Sequence, residues 1–299
     1  MFQPDLLRGQ AILITGGGTG LGRSMALRFA ELGAKIFLAA RREEPLRQTA
    51  EEIRDKGGRA GWTTSDVRDF TAVEGMVAKA HAEFGRIDIL VNNAAGNFIC
   101  PTERLSPNAF AAVVGIVLQG TFHCTLAVGR QWIQKRQPGT ILNILTTYAW
   151  TGSGFVVPSA CAKAGVLAMT RSLAVEWARY RIRLAAIAPG PFPTEGAWSR
   201  IIPSPKYEEA HRKKHPMQRF GRHEELTNLA AYLISPQADY INGECVTIDG
   251  AQWLRQGGEF NDLLELPAEM WDELEKARLR PGSPAGRPGS GRQARRAKG

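Results

Sequence analysis

The sequence predicts an α/β fold of the doubly wound class, in which a seven-stranded parallel sheet carries helices on both faces. Short apolar runs alternate with longer amphipathic stretches along the chain, as in consecutive β–α–β units. Segments rich in glycine or asparagine follow directly after several of these runs, where doubly wound sheets bind their ligands. The 299 residues, 43% hydrophobic and 22% charged, are typical of a globular core and exclude a disordered chain, a fibre and a coiled coil.

Each element follows from where an apolar run or a helical period begins and ends. The apolar runs predict strands at 11–15, 35–40, 59–65, 86–91, 140–145, 182–188 and 245–249. The longer stretches predict helices at 20–32, 43–56, 69–84, 106–136, 160–179, 223–234 and 267–279. Three glycines lie inside the helix predicted over 106–136, and glycine is a poor helix former.

The net charge of +9 does not by itself predict nucleic-acid binding. Residues 280–299 hold six Lys and Arg and no acidic residue, which leaves +3 for residues 1–279. A segment made of Gly, Pro, Ser and Arg has little apolar surface to bury. We therefore predict a disordered basic tail over 280–299 and favour a solvated tail over a nucleic-acid arm.

The spacing of cysteines and histidines predicts neither a disulfide framework nor a metal site. The four cysteines form no CxxC pair, and the five histidines form no HExxH. His211 and His215 fall in the basic stretch HRKKH, so we expect them to be exposed. We expect no membrane span and no secretory signal, and hence a reduced protein of the cytoplasm.

A glycine-rich segment, TGGGTGLG, joins the first strand to the first helix at residues 15–22. Glycines allow a tight turn and a close approach of backbone N–H groups to a pyrophosphate, and the helix N-terminus favours its charge. In this strand–turn–helix context the segment predicts a dinucleotide site in a Rossmann fold. The predicted cofactor-binding residues of this turn are Gly16, Gly17, Gly18, Thr19, Gly20 and Leu21.

The end of the second strand favours NADPH/NADP⁺ over NAD. An acidic residue there binds the ribose 2′-hydroxyl of NAD, whereas arginine accommodates the 2′-phosphate of NADP. The sequence has Arg41 and Arg42 at this place and no acid before Glu43. Asp66, after the third strand, is predicted to meet the adenine ring. The structural alternatives are exposed arginines before the next helix and a helix N-cap at Asp66.

Four segments together resemble the short-chain dehydrogenase/reductase family over about residues 9–255: TGGGTGLG, NNAAG (92–96), AKAG (162–165) and PGP (189–191). The resemblance implies that 92–96 packs beside the cofactor and that 189–192 lines the nicotinamide side. The cofactor-binding residues that it implies are Asn93, Ala94, Lys163, Pro189, Gly190, Pro191, Phe192 and Thr194.

The sequence departs from that family at the helix that carries the lysine. The family has a tyrosine four residues before it, one helical turn away, and the lysine lowers the pKa of the phenol. Here that position is Ser159, whose hydroxyl is a far weaker acid. Either the site is inactive, or the donor comes from Tyr148, just past the strand 140–145. The alternative for Tyr148 is a buried aromatic at a strand end, alongside Trp150.

A displaced tyrosine fits the chemistry of a conjugate reductase. A carbonyl reductase delivers hydride to the carbon that bears the protonated oxygen, so its acid lies beside the nicotinamide. A conjugate reductase delivers hydride to a carbon two or four atoms away from the carbonyl carbon. The donor to the enolate oxygen must therefore lie further from the nicotinamide than the usual tyrosine does.

Further segments are similar to the 2,4-dienoyl-CoA reductase group of the family: 96–110, 146–166, 189–200 and 258–263. The resemblance implies NADPH-dependent reduction of 2,4-dienoyl-CoA to 3-enoyl-CoA in unsaturated fatty acid oxidation. It implies that Tyr148 and Asn97 bind the thioester oxygen, and that Lys163 and Ser159 hold the cofactor. The acyl-CoA contacts that it implies are Arg68, Phe98, Ser106 and Arg200.

The resulting organisation is one Rossmann-fold domain over 1–279, with a substrate cover at 193–218 that includes Trp198 and a C-terminal extension at 258–279. The family resemblance implies a homotetramer. Many family members have an asparagine in the long helix near the site, and we assign Gln119 to that place, which leaves the usual proton relay in doubt.

Several alternatives stay open on the sequence. The same donors suit a 2-enoyl-CoA reductase, and Ser159 weakens the case for an ordinary alcohol dehydrogenase. A catalytically silent NADP-binding protein is a further alternative. Acyl chain length, double-bond geometry and the role of the tail are not determined by the sequence.

Overall fold

The computed structural model describes residues 3–194, 208–209, 212–257 and 261–279, and it contains one seven-stranded, entirely parallel sheet. The strand order is β3-β2-β1-β4-β5-β6-β7. The strands are β1 (Ala11–Thr15), β2 (Lys35–Ala40), β3 (Arg59–Thr64), β4 (Ile89–Asn92), β5 (Gly139–Ile144), β6 (Ile182–Pro189) and β7 (Cys245–Ile248). The predicted doubly wound sheet is confirmed, and its order reverses between β1 and β4, where such sheets bind ligands.

The fourth strand begins later than the sequence predicts. The apolar run suggested a strand over 86–91, but β4 starts at Ile89. The carboxylate of Asp88, which is buried, accepts a hydrogen bond of 2.8 Å from the backbone N–H of Ala11. Asp88 thus caps the start of β1 and lies just before the paired residues of β4.

Helices connect the strands as predicted, with differences at their ends. The helices are α1 (Gly20–Glu31), α2 (Glu43–Asp55), α3 (Phe70–Phe84), α4 (Pro107–Val114), α5 (Gly120–Gln134), α6 (Tyr148–Thr151), α7 (Val157–Glu176), α8 (His223–Ile234), α9 (Gln252–Gly257) and α10 (Ala268–Leu279). α7 begins at 157 rather than 160, because Pro158 occupies its first turn, where proline is tolerated. The short helices α6 and α9 were not predicted.

The helix predicted over 106–136 is continuous but contains a π-helical turn. Residues Gly115–Gln119 form this turn between α4 and α5. By length and composition the stretch Pro107–Gln134 could cross a membrane, but only half of its most apolar window is buried. Val128 and Trp132 of this stretch are buried and belong to a hydrophobic cluster with strands of the sheet. The stretch therefore acts here as a core helix.

The core lies on the two faces of the sheet. One cluster joins β1 and β2 to buried residues of α1, α2 and α8, among them Phe29, Ile53 and Leu226. The other joins the opposite face to α3 and α5, with Met76 and Trp132 fully buried. Helices on both faces leave the carboxyl ends of the strands as the open edge.

Contacts divide the chain into two compact units, which meet in sequence between Trp253 and Leu254. The first unit holds the sheet with α1 to α8. In the described part of the second unit, the amide of Asn261 donates to the carbonyls of Leu254 and Arg255 at 2.9 and 2.8 Å. The single domain predicted over 1–279 stays a prediction, and the tail 280–299 lies outside the described residues.

Candidate active site

The glycine-rich turn after β1 leaves no room for side chains. Gly16 has a φ of +66°, and a Cβ there would come within 3.0 Å of the backbone of Ala94. A Cβ on Gly22 would lie 2.2 Å from the carbonyl oxygen of Gly16. The turn is therefore closed tightly over the N-terminus of α1, which presents backbone N–H groups and a partial positive charge.

The end of β4 is fastened to this turn by side-chain hydrogen bonds. The hydroxyl of Thr15, which is buried, accepts from the backbone N–H groups of Asn93 and Ala94 at 3.1 Å each. The amide of Asn93 donates to the carbonyls of Thr15 and Gly16, also at 3.1 Å. The structure thus brings together the two predicted cofactor segments, at the point where the strand order reverses.

A cleft of about 1150 Å³ opens at this point. The predicted cofactor-binding residues that line it are Gly16, Gly18, Thr19, Gly20, Arg41, Asp66, Asn93 and Ala94. Residues that the sequence did not single out for it include Arg23, Ser24, Gln48, Ser65, Ile116 and His223. A glycine cradle, a helix N-terminus and arginines suit a ligand with several phosphates, so these residues fit a dinucleotide.

Arg41 and Arg42 both line the cleft and are exposed. Asp66 faces the same cleft but is held by Arg68, with Nη2 to Oδ2 at 2.5 Å and Nε to Oδ1 at 3.0 Å. The hydrogen bond from Arg68 lowers the pKa of the Asp66 carboxyl, and the charge of Arg41 adds to the effect. The predicted adenine contact and a predicted substrate contact therefore form one ion pair.

Tyr148 is the first residue of α6, shortly after the end of β5 at Ile144, and it is partly buried. Its hydroxyl accepts a hydrogen bond from the Asn97 amide nitrogen at 3.3 Å and lies 3.1 Å from the Oγ of Ser159. The tyrosine is therefore not a buried strand-end aromatic. Trp150, which that alternative placed beside it, is 37% exposed and packs edge-on against Trp253.

The amide of Asn97 has a fixed orientation. Its oxygen accepts from the backbone N–H of Phe98 at 2.9 Å, so its nitrogen points to Tyr148. The loop that carries Asn97 is fastened across the site, where the N–H of Cys100 donates to the carbonyl of Phe155 at 2.9 Å. Asn97 and Tyr148 thus present two donors side by side, which is the arrangement needed to bind an oxyanion.

Ser159 and Lys163 lie one turn apart on α7, and both are buried. Lys163 donates a short hydrogen bond to the carbonyl of Ile144 at the end of β5. Burial lowers the pKa of the Lys163 ammonium to about 8. In this structure the lysine therefore contacts the strand that leads to Tyr148.

The loop after β6 lies on the other side of the glycine turn. A Cβ built on Gly20 would lie 3.4 Å from the Thr194 side chain, so Thr194 adjoins the turn as predicted. Phe192 is buried in the core and packs over Gly221. Pro191 and Phe192 line a separate cavity of about 190 Å³, so the ring of Phe192 faces away from the cofactor cleft.

The predicted acyl-CoA contacts have varied surroundings. Phe98 is 39% exposed beside Asn97, and Arg68 is exposed beside Asp66. Ser106 accepts from the N–H of Ala109 at 3.1 Å and caps α4. This capping bond gives Ser106 a structural role without a ligand contact. Arg200 and Trp198 lie outside the described residues, as does most of the predicted cover at 193–218.

The surroundings of Gln119 and His215 bear on two further expectations, of which that for His215 was wrong. Gln119 is exposed, and its Oε1 lies beside Gly115 near Arg68, whereas buried Val117 packs with Ala162 next to Lys163. The assignment of Gln119 to the family asparagine stays a prediction. His215, expected to be exposed, is only 2% exposed and packs edge-on against Phe220.

The fold and the site together define an oxidoreductase that binds a nicotinamide dinucleotide. The sequence model of a family described as "Enoyl-(Acyl carrier protein) reductase" matches residues 16–251. A "Probable 2,4-dienoyl-CoA reductase [(2E)-enoyl-CoA-producing]" of Bacillus subtilis is 48% identical over 82% of this chain and 97% of its own length. A "Probable 2,4-dienoyl-CoA reductase 3 [(3E)-enoyl-CoA-producing]" of Caenorhabditis elegans is 43% identical over 92% and 91%.

Among solved structures, a short chain dehydrogenase from Bacillus anthracis superimposes with a TM-score of 0.77 at 45% identity. The superposition covers 84% of this chain and 99% of that one. The chain belongs to the short-chain dehydrogenase/reductase family.

Proposed function

We propose that this protein reduces 2,4-dienoyl-CoA to 3-enoyl-CoA with NADPH, in the oxidation of unsaturated fatty acids. The observation that carries the proposal is the position of the phenol. Tyr148 lies after β5 and bonds both Asn97 and Ser159, while the helix position one turn before Lys163 holds a serine. The names of both relatives support the reduction of a 2,4-dienoyl-CoA, and the name of the Caenorhabditis elegans relative also gives the 3-enoyl product.

The two ends of the reacting system lie far apart in a dienoyl thioester. NADPH, when bound, supplies the hydride that adds to C5, the distal end of the diene. The electron pair of the C4–C5 double bond shifts through the conjugated chain, and negative charge develops on the thioester oxygen. A donor to that oxygen must therefore lie several ångströms from the point of hydride addition.

Tyr148 and Asn97 are the donors that stabilise this dienolate. The Asn97 amide oxygen is occupied by the Phe98 N–H, and its nitrogen donates one hydrogen to the phenol, which leaves the second hydrogen for the thioester oxygen. Ser159 accepts or donates at the Tyr148 hydroxyl and holds it in position. A proton from water then reaches the α-carbon, which gives the 3-enoyl product.

The adenosine end of NADPH is bound where the second and third strands end. Arg41 makes a charge-assisted contact to the 2′-phosphate, and Asp66 meets the adenine. The turn 16–21 and the N-terminus of α1 hold the pyrophosphate. Asn93, Ala94, Lys163 and the loop 189–194 would hold the nicotinamide riboside, with the ring of Phe192 turned to the separate cavity.

The acyl-CoA is bound at the exposed side of the site. The guanidinium of Arg68 pairs with a CoA phosphate. Phe98 lies on the adjoining loop, and Ser106 is the cap of α4. Arg200 belongs to the same set. We further propose a homotetramer of the cytoplasm, as the family resemblance implies.

The test is NADPH oxidation by the purified protein with a 2,4-dienoyl-CoA, a 2-enoyl-CoA and a simple ketone. We expect selective turnover of the dienoyl-CoA and a loss of roughly a hundredfold in kcat in Tyr148→Phe. Tyr240→Phe, which removes a hydroxyl from a fully exposed tyrosine, is the matched control. Turnover of the ketone with an unaffected Tyr148→Phe would contradict the proposal.

The product separates the reactions named for the two relatives. In D₂O a 3-enoyl product carries deuterium at C2, whereas a 2-enoyl product carries it at C4. NMR of the isolated thioester distinguishes the two. Deuterium at C4 would retain dienoyl-CoA reduction but overturn the assignment of the 3-enoyl product.

A further inference from the structure

His223 connects two walls of the cofactor cleft that are far apart in sequence. It is the first residue of α8 and lines the cleft. Its Nδ1 lies 2.7 Å from the Oγ of Ser24 in α1, and its Nε2 lies 2.7 Å from the carbonyl oxygen of Pro193. One imidazole thus joins the helix behind the glycine turn to the loop after β6.

The partners determine which ring nitrogen carries the proton. A carbonyl oxygen can only accept, so Nε2 carries hydrogen and donates to Pro193. The Oγ of Ser24 lies 2.7 Å from Nδ1 and 3.2 Å from the carbonyl oxygen of Gly20, so its one hydrogen is directed to one of these two atoms. Both contacts of the imidazole are short and engage both of its nitrogens.

The other contacts of the loop show what the Pro193 bond adds. The N–H of Gly221 donates to the carbonyl of Pro191 at 3.1 Å, and the ring of Phe192 packs over Gly221. These contacts attach the loop to the segment before α8, and the N–H of Gly190 attaches its start to β7 by donating to the carbonyl of Ile248 at 3.0 Å. The bond chain from Pro193 through His223 to Ser24 links the loop to α1, close to where Thr194 adjoins Gly20.

We propose that His223 is a positioning residue for the pyrophosphate and nicotinamide side of bound NADP(H). It holds the loop 189–194 against the glycine turn, so that Thr194 and the turn form one wall. The inference rests on the proposed cofactor binding. It assigns no contact to the adenosine end, which lies at Arg41 and Asp66 on the other side of the turn.

The test compares two ligands that share the adenosine end and differ at the nicotinamide side. NADPH spans both sides of the cleft, whereas adenosine 2′,5′-bisphosphate lacks the second phosphate and the nicotinamide riboside. Dissociation constants are measured by fluorescence for NADPH and by calorimetry for the bisphosphate. A general loss of structure weakens both ligands, but a loss of loop position weakens only NADPH.

The variants remove the bonds one by one. His223→Ala removes both, Ser24→Ala removes the bond to α1, and His223→Gln retains a donor for Pro193. Asn228→Ala is the matched control, because Asn228 accepts from Arg28 at 3.2 Å and also ties α8 to α1, but lies outside the cleft lining. Each lost neutral hydrogen bond is worth roughly a two- to tenfold change in an equilibrium constant.

We expect the Kd of NADPH to rise about tenfold in His223→Ala and about threefold in Ser24→Ala, in line with one or two lost bonds. His223→Gln should recover part of the loss, Asn228→Ala should match the unmodified protein, and the bisphosphate should bind equally to all. Unchanged NADPH binding in His223→Ala, or equal losses for both ligands, would overturn the inference. If His223→Ala does not fold, Ser24→Ala decides in the same way.

The experiment also separates this inference from the proposed cofactor. If the unmodified protein binds NADH but not NADPH, the NADPH proposal fails. The role of His223 is then decided by the same variants with NADH and AMP. A selective loss of NADH supports it, and no loss overturns it.

Discussion

The hydroxyl of Tyr148 lies 3.1 Å from the Oγ of Ser159, so the residue that replaces the family tyrosine is itself the partner of the displaced phenol. Asn97 approaches the same hydroxyl from the opposite loop at 3.3 Å. The three side chains come from the β4–α4 loop, α6 and α7. They act through one oxygen atom, which makes their contributions to catalysis interdependent.

The first prediction is that Ser159 matters only while Tyr148 carries its hydroxyl. Ser159→Ala should lower kcat for the dienoyl-CoA about tenfold, since one hydrogen bond to the phenol is lost. In a Tyr148→Phe background the same change should cost less than about twofold, because the interaction is already absent. A double-mutant cycle in kcat measures the coupling.

Ser172→Ala, an exposed position on the same helix, is the control for that cycle. Additive losses from Ser159→Ala and Tyr148→Phe would show that Ser159 acts independently of the phenol. It would then be assigned to the cofactor alone.

The second prediction concerns the choice of cofactor. Arg41→Ala should raise the Kd of NADPH by about ten- to a hundredfold, the value of charge-assisted bonds to a phosphate, and leave NADH binding unchanged. Arg42→Ala is the comparison, because both arginines line the cleft. Fluorescence titration with each nucleotide measures both constants. A larger effect of Arg42→Ala would transfer the phosphate contact to that residue.

The third prediction tests Arg68 as a contact to a CoA phosphate. Arg68→Ala should raise the KM of dienoyl-CoA about fivefold with kcat nearly unchanged, and added salt should reduce the difference. A dienoyl-pantetheine thioester without the nucleotide phosphates should show the same KM in both proteins. Arg47→Ala removes a surface arginine that also pairs with carboxylates and serves as the control. An equal KM increase for the pantetheine thioester would exclude the phosphate contact.

The sequence predicted the sheet well because parallel strands leave strong local signals. Buried on both faces, they appear as apolar runs such as AILIT and KIFLAA, and all seven were found. The short helix α6 was missed, since four residues give no helical period. The predicted start of β4 was wrong because Asp88 lies within the run RIDILV. Its carboxylate instead accepts a hydrogen bond from the first residue of β1.

The site was predicted where residues are close in sequence, and less well where they meet through the fold. The glycine turn and Lys163 follow from local motifs and the family resemblance. Nothing in the spacing indicates that His223, some 200 residues after Ser24, meets the cofactor cleft. Gln119 is exposed at the end of the π-helical turn at 115–119, and its role in the site stays a prediction.

The fourth prediction is that Lys163 destabilises the ligand-free protein. Its pKa is about 8 in the folded state, below the usual value near 10.4, because burial disfavours the ammonium ion. At pH 7 the lysine is protonated in both states, so the folded state bears the cost of burying the charge, roughly 3 kcal/mol. Lys163→Met removes that cost but also the hydrogen bond to Ile144, worth about 1 kcal/mol. The variant should therefore be more stable by about 2 kcal/mol and catalytically impaired.

The difference in stability between the two proteins should depend on pH. Between pH 8 and the unfolded pKa near 10.4, the unfolded chain keeps a proton that the folded lysine has released. The unmodified protein therefore gains stability relative to Lys163→Met as the pH rises through this interval, and the gap should narrow. Urea unfolding at pH 7 and at pH 10 measures it, with Lys135→Met, an exposed lysine, as the control. If the difference in free energy of unfolding between the two proteins is the same at both pH values, burial of the Lys163 ammonium does not cause it. The pKa of Lys163 would then not be lowered in the folded protein.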